Sequence, residues 1–350
     1  MSASPARFSL SQLECPIVAA PLAGGPSTPA LAAAVSAAGG LGFLAAGYRS
    51  PEAVRGDIAE LRRLTDRPYG IGLFVPASTA ASRDEVARYA ESLRADAARY
   101  GVEPGSPEHD DDAWAAKLDL MDAAQPAVVS FTFGCPPDDV VARLHTAGCA
   151  VWITVTTARE ARRAAAAGAD ALVAQGAEAG GHRASFDLDS PGEIGLLALL
   201  QIVTDAVSTP VVASGGLMTG RAIAAALVAG AEAVQLGSAF MLCPEAGTSP
   251  AQRAALLEDA DTAVTRAFTG RAARGIVNRF LREHSDDAPM AYPEVHHVTA
   301  PIRAAARERG DAEALNLWAG QAHVLARQRP AGELVRELAE EARAALRHHM

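Results

Sequence analysis

Short apolar segments that end near glycine or proline alternate along this chain with alanine-rich stretches of helical composition. Strands that alternate with helices favour an α/β protein with a parallel sheet, and eight such repeats predict a (β/α)8 TIM barrel. A doubly wound open sheet is the competing fold, but the G-x-G-x-x-G turn that follows its first strand is missing. The predicted strands are residues 17–20, 41–45, 69–75, 127–131, 150–155, 171–174, 209–213 and 233–236.

The alternation is interrupted by residues 77–125, a polar and partly helical segment that contains Pro104, Pro107 and an acidic run. We interpret this segment as an insertion above the barrel mouth, where long loops act as lids. Residues 1–245 would then form the barrel, and residues 246–350 a helical extension packed on its wall. The sequence predicts that this extension has loops at 269–300 and 328–332 and amphipathic helices at 321–327 and 332–348.

The charge balance argues against two classes of partner. The chain of 350 residues carries a formal net charge of −10, whereas nucleic acids and anionic membranes are bound by basic patches. No apolar run approaches the roughly 20 residues that cross a bilayer. The first ten residues lack the basic and apolar regions of a signal peptide. We therefore expect a cytoplasmic protein with no nucleic-acid and no membrane partner.

Cysteine and lysine usage argues against several kinds of chemistry. The four cysteines, at positions 15, 135, 149 and 243, form no C-x-x-C pair, so we expect reduced thiols and no metal. Lys117 is the only lysine and lies next to the acidic run 109–112, outside every glycine-rich loop. Schiff-base chemistry needs a lysine desolvated in a pocket, so it is not expected here. We interpret the acidic run as a solvated loop rather than a metal site.

The predicted sixth strand is followed by a glycine-rich, polar turn that contains Gln175, Gly180, Gly181 and His182. Ligands of parallel α/β proteins bind where the strands end, because only the loops there can be shaped for a substrate. The paired glycines have no Cβ, so a flat cofactor could lie against their backbone with the imidazole nearby. The alternative interpretation is a tight turn with a surface histidine.

Two later turns carry small residues at the position where barrels commonly bind phosphate. Backbone N–H groups and a helix N-terminus can hold a dianion there without a lysine, although tight turns also require glycine. Together with the turn at His182, they predict a planar cofactor that carries a phosphate, with the histidine at the reactive ring. His296 and His297 are expected to lie exposed in a loop, with a contribution to a lid as the alternative. The residues of the two turns are Ser214, Gly215, Gly216, Gln235, Leu236, Gly237 and Ser238.

Eight segments together resemble the nitronate monooxygenase family, formerly called the 2-nitropropane dioxygenases. The resemblance spans nearly the whole chain, and the combination is far more specific than any one motif. Its segments are residues 16–25, PIVAAPLAGG; 42–48, GFLAAGY; 73–76, LFVP; 174–183, AQGAEAGGHR; 213–216, ASGG; 235–240, QLGSAF; 268–275, FTGRAARG; and 316–321, NLWAGQ.

The resemblance implies FMN, bound without a covalent link on the barrel. It implies that His182 lies over the flavin as the catalytic residue and that Gly215, Gly216 and the 235–238 turn hold the ribityl phosphate. Gly72 stands where the family usually has Asn, so a side-chain contact to the flavin is missing, and Ser238 replaces the usual Thr. The full implied cofactor-binding set is Ala23, Gly24, Gly72, Gln175, Gly180, Gly181, Ser214, Gly215, Gly216, Gln235, Leu236, Gly237 and Ser238.

The expected activity is the oxidation of alkyl nitronates, and of nitroalkanes if His182 acts as a base, with O₂ to carbonyl compounds and nitrite. We expect a small-molecule substrate and a monomer or homodimer. The alternatives on the same barrel are an NAD(P)H:quinone reductase and an FMN-dependent enoyl-thioester reductase. A colourless barrel that binds a sugar phosphate is the alternative from another class. Tyr48, Phe131 and Arg183 are further pocket candidates by position alone.

Overall fold

The hydrogen bonds between parallel strands determine the architecture. In the computed structural model, which describes residues 7–76, 80–189 and 192–349, eight parallel strands form one sheet. β1 (Ile17–Ala19) pairs with β9 (Ala233–Leu236), and a bridge between Val18 and Leu41 joins β1 to the start of β2 (Gly42–Ala45), so the sheet closes. The predicted TIM barrel is confirmed. Its strands are β1 Ile17–Ala19, β2 Gly42–Ala45, β3 Tyr69–Phe74, β4 Val128–Thr132, β5 Ala150–Val155, β6 Ala171–Gln175, β8 Val211–Ser214 and β9 Ala233–Leu236.

The barrel interior is filled by apolar side chains rather than left as a channel. Trp152 lies at its centre with its ring centroid 5.8 Å from that of Phe43. Phe8, from the segment before β1, comes within 6.4 Å of the same indole and helps to close the amino-terminal end. A packed interior leaves the carboxyl ends of the strands as the place for a ligand.

A ring of helices covers the outside of the strands. The helix that begins at Ala331 packs between the first barrel helix and the helix before β9, so the end of the chain completes the ring. The predicted division at residue 245 stays a prediction. The ring helices are α1 Pro29–Ala37, α2 Pro51–Leu64, α5 Trp114–Ala124, α6 Asp138–Thr146, α7 Ala158–Ala166, α8 Leu196–Ala206, α9 Gly220–Val228 and α13 Ala331–His349.

The predicted insertion is only partly an insertion. Its last helix, α5, packs between α2 and α6 as a regular barrel helix. The helices α3 (Arg83–Ser92) and α4 (Arg94–Tyr100) lie against α12 (Glu294–Glu308) in a second apolar cluster. Residues 77–79, with which the predicted insertion begins, are outside the described residues, as are residues 1–6.

The region after β9 differs from the sequence prediction. β10 (Thr262–Thr265) and β11 (Ala273–Ile276) pair with the two-residue strand β7 (Gly181–His182) in a small antiparallel sheet. The predicted loop 269–300 also contains α11 (Arg279–His284) and the start of α12. The predicted helix 321–327 is only a single 3-10 turn, His323–Leu325, whereas the helix at 332–348 is confirmed as α13. The sequence predicts a helical extension around β10 and a loop at β11, but antiparallel pairing makes both segments strands.

The helix α10 (Pro250–Leu257) follows β9, and 3-10 turns occur at Leu10–Gln12, Ser238–Phe240 and Ala312–Ala314. Among the described residues, no helix combines the length and the apolar character that a membrane span requires.

Gly220 provides a test of the contact between α9 and α13. A Cβ at Gly220 would lie 2.2 Å from the Cβ of Glu341 and 2.6 Å from the backbone nitrogen of Ala342. We expect Gly220→Ala to lower the free energy of unfolding by about 1–3 kcal/mol, because overpacking must separate the two helices. Urea unfolding measures this change.

Gly56→Ala is the matched control. Gly56 is exposed in α2, and a Cβ there would meet no atom within 4 Å. Helix propensity alone should then raise the free energy of unfolding by about 0.5–1 kcal/mol. Equal stability of the Gly220→Ala variant and the wild type would contradict the packing described for α9 and α13.

Candidate cofactor and active site

One cavity of about 390 Å³ lies where the barrel strands end, and its volume falls within the range of small-molecule sites. It brings together nearly all the residues that the sequence placed at a site, although their roles there stay predictions. The members that line it are Ala23, Gly24, Gln175, Gly180, Gly181, His182, Ser214, Gly215, Gly216, Gln235, Leu236, Gly237 and Ser238.

Gly72 is the exception, since it does not line the cavity. A Cβ at this position would meet the ring of Pro21 at 2.6 Å, and Pro21 is itself part of the cavity wall. The proline therefore lies against the backbone of β3 at this point. No residue larger than glycine fits at position 72 unless Pro21 moves.

One end of the cavity is built from backbone. Gly215 and Gly216 follow β8 with φ of +124° and +68°, a conformation that residues with a Cβ rarely adopt. α9 begins a few residues later, capped by the hydroxyl of Thr219. Opposite this turn, the Oγ of Ser238 accepts a hydrogen bond from the N–H of Gly320 at 2.9 Å, so its own proton is available for a ligand.

Gly180 and Gly181, which precede His182, are glycine for different structural reasons. A Cβ at Gly180 would lie 2.4 Å from the carbonyl carbon of Ala319 and the nitrogen of Gly320, so this glycine allows two backbones to cross. Gly181 has φ of +76° and open space around it. The sequence suggested that a cofactor lies against Gly180. In the structure, the backbone of residues 319–320 occupies that position.

Gln175 holds the turn that carries His182. Its side-chain Nε2 donates to the carbonyl of His182 at 3.1 Å, and its Oε1 accepts from the N–H of Ala184 at 3.0 Å. Strand pairing of β7 with β11 fixes the same turn from the other side. The position of the imidazole is thus determined by both the barrel and the small sheet.

Gln235 carries an unpaired acceptor. The residue is buried at the end of β9, and its Oε1 has no hydrogen-bond partner among the described residues. A buried amide oxygen without a partner is costly. Since Gln235 lines the cavity, this oxygen fits a ligand that brings an N–H or O–H donor.

Aromatic rings surround His182. The ring centroids of Phe133, Tyr292 and Trp318 lie 5.6, 5.9 and 5.5 Å from the imidazole centroid. Desolvation, followed by the positive charges of Arg271 and Arg303, lowers the pKa of His182 to about 3. The imidazole is therefore neutral at physiological pH.

The sequence did not identify the wall on the side of α12. His296 and Arg303 line the cavity, and the ring of His296 stacks on Tyr48 at 4.1 Å. The expected exposure of His296 is wrong. Desolvation and the charge of Arg303 lower its pKa to about 2. Spacings of three, four and four along residues 296, 299, 303 and 307 place these side chains on one helix face, but Pro301 favoured a loop interpretation.

The three residues that the sequence proposed for the pocket by position alone have different surroundings. Tyr48 lines the cavity, whereas Phe131 is buried in the core between the strands and the helices. Arg183 is also buried, and its guanidinium donates to the carbonyls of Gly176 and Gly192. Of these three positional candidates, only Tyr48 reaches the site.

The acidic run is tied to its surroundings rather than simply solvated. Asp112 forms an ion pair with the buried Lys117 at 2.7 Å, and Asp110 lies 2.6 Å from the Nε2 of His297. A separate group, Asp96, Glu283 and His284, has the spacing of metal ligands. The guanidinium of Arg279 lies 2.7 Å from Asp96, so a cation already occupies that position.

The protonation of His182 and His296, both half-buried, can be tested by NMR. With pKa values of about 3 for His182 and about 2 for His296, both rings should stay neutral between pH 8 and 5. Their ring resonances, assigned from the spectra of His182→Asn and His296→Gln, should not shift over this range. An inflection near pH 6.5 at His182 would contradict the described environment.

The same pKa values predict the pH dependence of stability. An unfolded chain binds protons at these two rings near pH 6.5, whereas the native state does not until about pH 3. The contribution of these rings to the free energy of unfolding is therefore complete above pH 6.5 and is lost as the pH falls towards 3. In His296→Gln the stability should fall less steeply over this range than in the wild type.

Comparisons with known proteins agree with this geometry. The family model described as nitronate monooxygenase matches residues 7–341. The nitronate monooxygenase of Pseudomonas aeruginosa is 43% identical over 343 residues, which cover 95% of this chain and 97% of that protein. The probable nitronate monooxygenase of Bacillus subtilis is 39% identical, with 90% and 91% covered.

Solved structures give the same result. A nitroalkane oxidase from Streptomyces ansochromogenes superimposes with a TM-score of 0.94 at 49% identity, covering 97% of this chain and 99% of that chain. FabK from Thermotoga maritima is more distant, with a TM-score of 0.76 at 28% identity and coverage of 97% and 98%. The chain therefore belongs to the nitronate monooxygenase family of oxidoreductases.

Proposed function

We propose that the protein uses FMN and O₂ to oxidise alkyl nitronates to carbonyl compounds and nitrite, and that it also accepts neutral nitroalkanes. The observation that carries this proposal is a neutral, desolvated histidine at the wall of the barrel cavity, beside two buried guanidinium groups. Membership of the nitronate monooxygenase family supports the same activity. A cytoplasmic location and a monomer or homodimer stay predictions.

The cavity fits FMN in the chemistry of its donors and acceptors. The ribityl hydroxyls and the imide N–H of FMN are donors of the kind that the unpaired Oε1 of Gln235 lacks. The Gly215–Gly216 turn before α9 and the hydroxyl of Ser238 suit a phosphate. When bound, FMN would accept electrons from an anionic carbon donor and pass them to O₂.

Arg303 and Arg271 supply the positive charge that favours an anionic substrate. Arg303 lines the cavity and donates to Thr299 and to the carbonyl of His296, and no carboxylate pairs with it among the described residues. Arg271 is buried and stacks at 4.1 Å on the ring of Phe133. Attraction of the nitronate therefore comes from these two guanidinium groups and not from a protonated His182.

His182 is available as a base because it is neutral. A neutral nitroalkane loses its carbon proton slowly in water, so a positioned base would widen the substrate range. The rings of Phe133, Tyr292 and Trp318 surround the imidazole and limit its contact with water. Although the free imidazole has a low pKa, a nitronate that forms beside it would stabilise the imidazolium.

A product analysis tests the proposal. The purified protein, loaded with FMN, is mixed with propane-2-nitronate in air, and acetone and nitrite are quantified. We expect both products in equal amounts. If the nitronate were consumed without nitrite release, the proposed reaction would be wrong.

Replacing the histidine separates its two possible roles. His182→Asn keeps a polar side chain but removes the base, so turnover of a neutral nitroalkane should fall by about 10²-fold or more. Turnover of the preformed nitronate should fall much less, because the charges of Arg271 and Arg303 remain. Steady-state oxygen consumption with the neutral and the anionic form of one substrate measures the two turnover rates. An equal fall in the two rates would contradict a role of His182 as the base.

A further inference from the structure

The imidazole of His182 has one hydrogen-bond partner among the described residues. Its Nε2 lies 3.0 Å from the Oγ1 of Thr269, and no partner of Nδ1 occurs in that part of the chain. Thr269 is buried and also belongs to the cavity wall. A neutral imidazole carries one proton, so this contact bears on which nitrogen holds it.

The surroundings of the Thr269 hydroxyl decide the direction of that hydrogen bond. The Oγ1 lies 3.2 Å from the carbonyl oxygen of Arg271, which can only accept, and 3.4 Å from the N–H of Arg271, which can only donate. The hydroxyl has a single proton. If that proton goes to the carbonyl, all three contacts are satisfied only when Nε2 of His182 is the donor.

The opposite arrangement is less favourable. If Thr269 donated to an unprotonated Nε2, the carbonyl of Arg271 and the hydroxyl oxygen would face each other as two acceptors at 3.2 Å. The carbonyl would then lose a partner in a buried environment, which is costly. The geometry therefore favours one tautomer.

We propose that Thr269 is a positioning residue that holds His182 in its Nε2–H tautomer, so that Nδ1 is the atom that receives a proton from the substrate. This inference rests on the proposed function for its consequence, but the tautomer itself does not depend on the activity. The family resemblance assigned no role to Thr269, which lies outside the motif that carries His182.

The proton can move from the substrate to His182 without any movement of the imidazole. The α-carbon–hydrogen bond of the nitroalkane breaks, and its proton bonds to the lone pair of Nδ1. The electron pair of that bond becomes the carbon–nitrogen double bond of the nitronate, whose charge lies on the nitro oxygens. The hydrogen bond from Nε2 to Thr269 is present before and after this step, so the base is preorganised.

The tautomer can be observed directly by NMR. Two-bond ¹H–¹⁵N spectra of the ¹⁵N-labelled protein, with His182 assigned from His182→Asn, distinguish a protonated ring nitrogen from an unprotonated one. We expect the shift of a protonated nitrogen at Nε2 and of an unprotonated nitrogen at Nδ1. The reverse pattern in the wild type would overturn the proposal, and this measurement needs no substrate.

Thr269→Val and Thr269→Ser form a matched pair for the kinetic consequence. Valine has the same shape without the hydroxyl, so we expect a mixture of tautomers and a fall of about tenfold in kcat/KM for a neutral nitroalkane, within the range of a misaligned general base. With the preformed nitronate the fall should stay below about threefold, because no proton is removed. Serine keeps the hydroxyl and should restore both the wild-type spectrum and the nitroalkane rate.

These outcomes separate the inference from the proposed function. If the wild type had the expected tautomer but no nitronate activity, only the proposed function would fail. If nitronate were oxidised while Thr269→Val reacted with the nitroalkane as fast as Thr269→Ser did, the positioning role would fail. An equal loss by Thr269→Val on both substrates would also contradict that role, since it would indicate a general disturbance of the site.

Discussion

Closure of the parallel sheet is the constraint on which the rest of this structure depends. The hydrogen bonds between β1 and β9 and the bridge from Val18 to Leu41 bring the carboxyl ends of all eight strands to one rim. Because the barrel interior is packed around Trp152, that rim is where the strands leave space for a ligand. The turns after β6, β8 and β9, far apart in sequence, thereby meet around one cavity.

The barrel supplies only part of the wall of that cavity. The rest comes from the region after β9, in which β11 pairs with β7 beside His182, and residues 319–320 cross Gly180 at close range. α12 then places His296 and Arg303 in the wall of the same cavity. This second layer desolvates the imidazole and surrounds it with positive charge, which together lower its pKa. As a result, the imidazole of His182 is neutral and has a defined hydrogen-bond partner, Thr269.

The sequence predicted the barrel part well, for a physical reason. Buried parallel strands are short apolar runs, and glycines with positive φ are needed where they turn, so both are visible in one dimension. The second part depends on tertiary contacts that leave a weaker signal. The strand β11 falls within the predicted loop 269–300, Pro301 lies inside α12, and the contact of Thr269 with His182 joins residues that are 87 positions apart. The resemblance also implied that Gly72 belongs to the cofactor site. Only the structure shows that Pro21 lies against it.

In the proposed reaction this site passes electrons from a nitronate to a flavin and then to oxygen. The most direct test is the absorbance of the purified protein under anaerobic conditions, recorded before and after addition of NADH or NADPH and then of an alkyl nitronate. We expect an oxidised flavin spectrum that persists with both pyridine nucleotides and bleaches with the nitronate. Rapid bleaching by NADH or NADPH would instead indicate a reductase, and a protein that binds no flavin would contradict the proposed reaction.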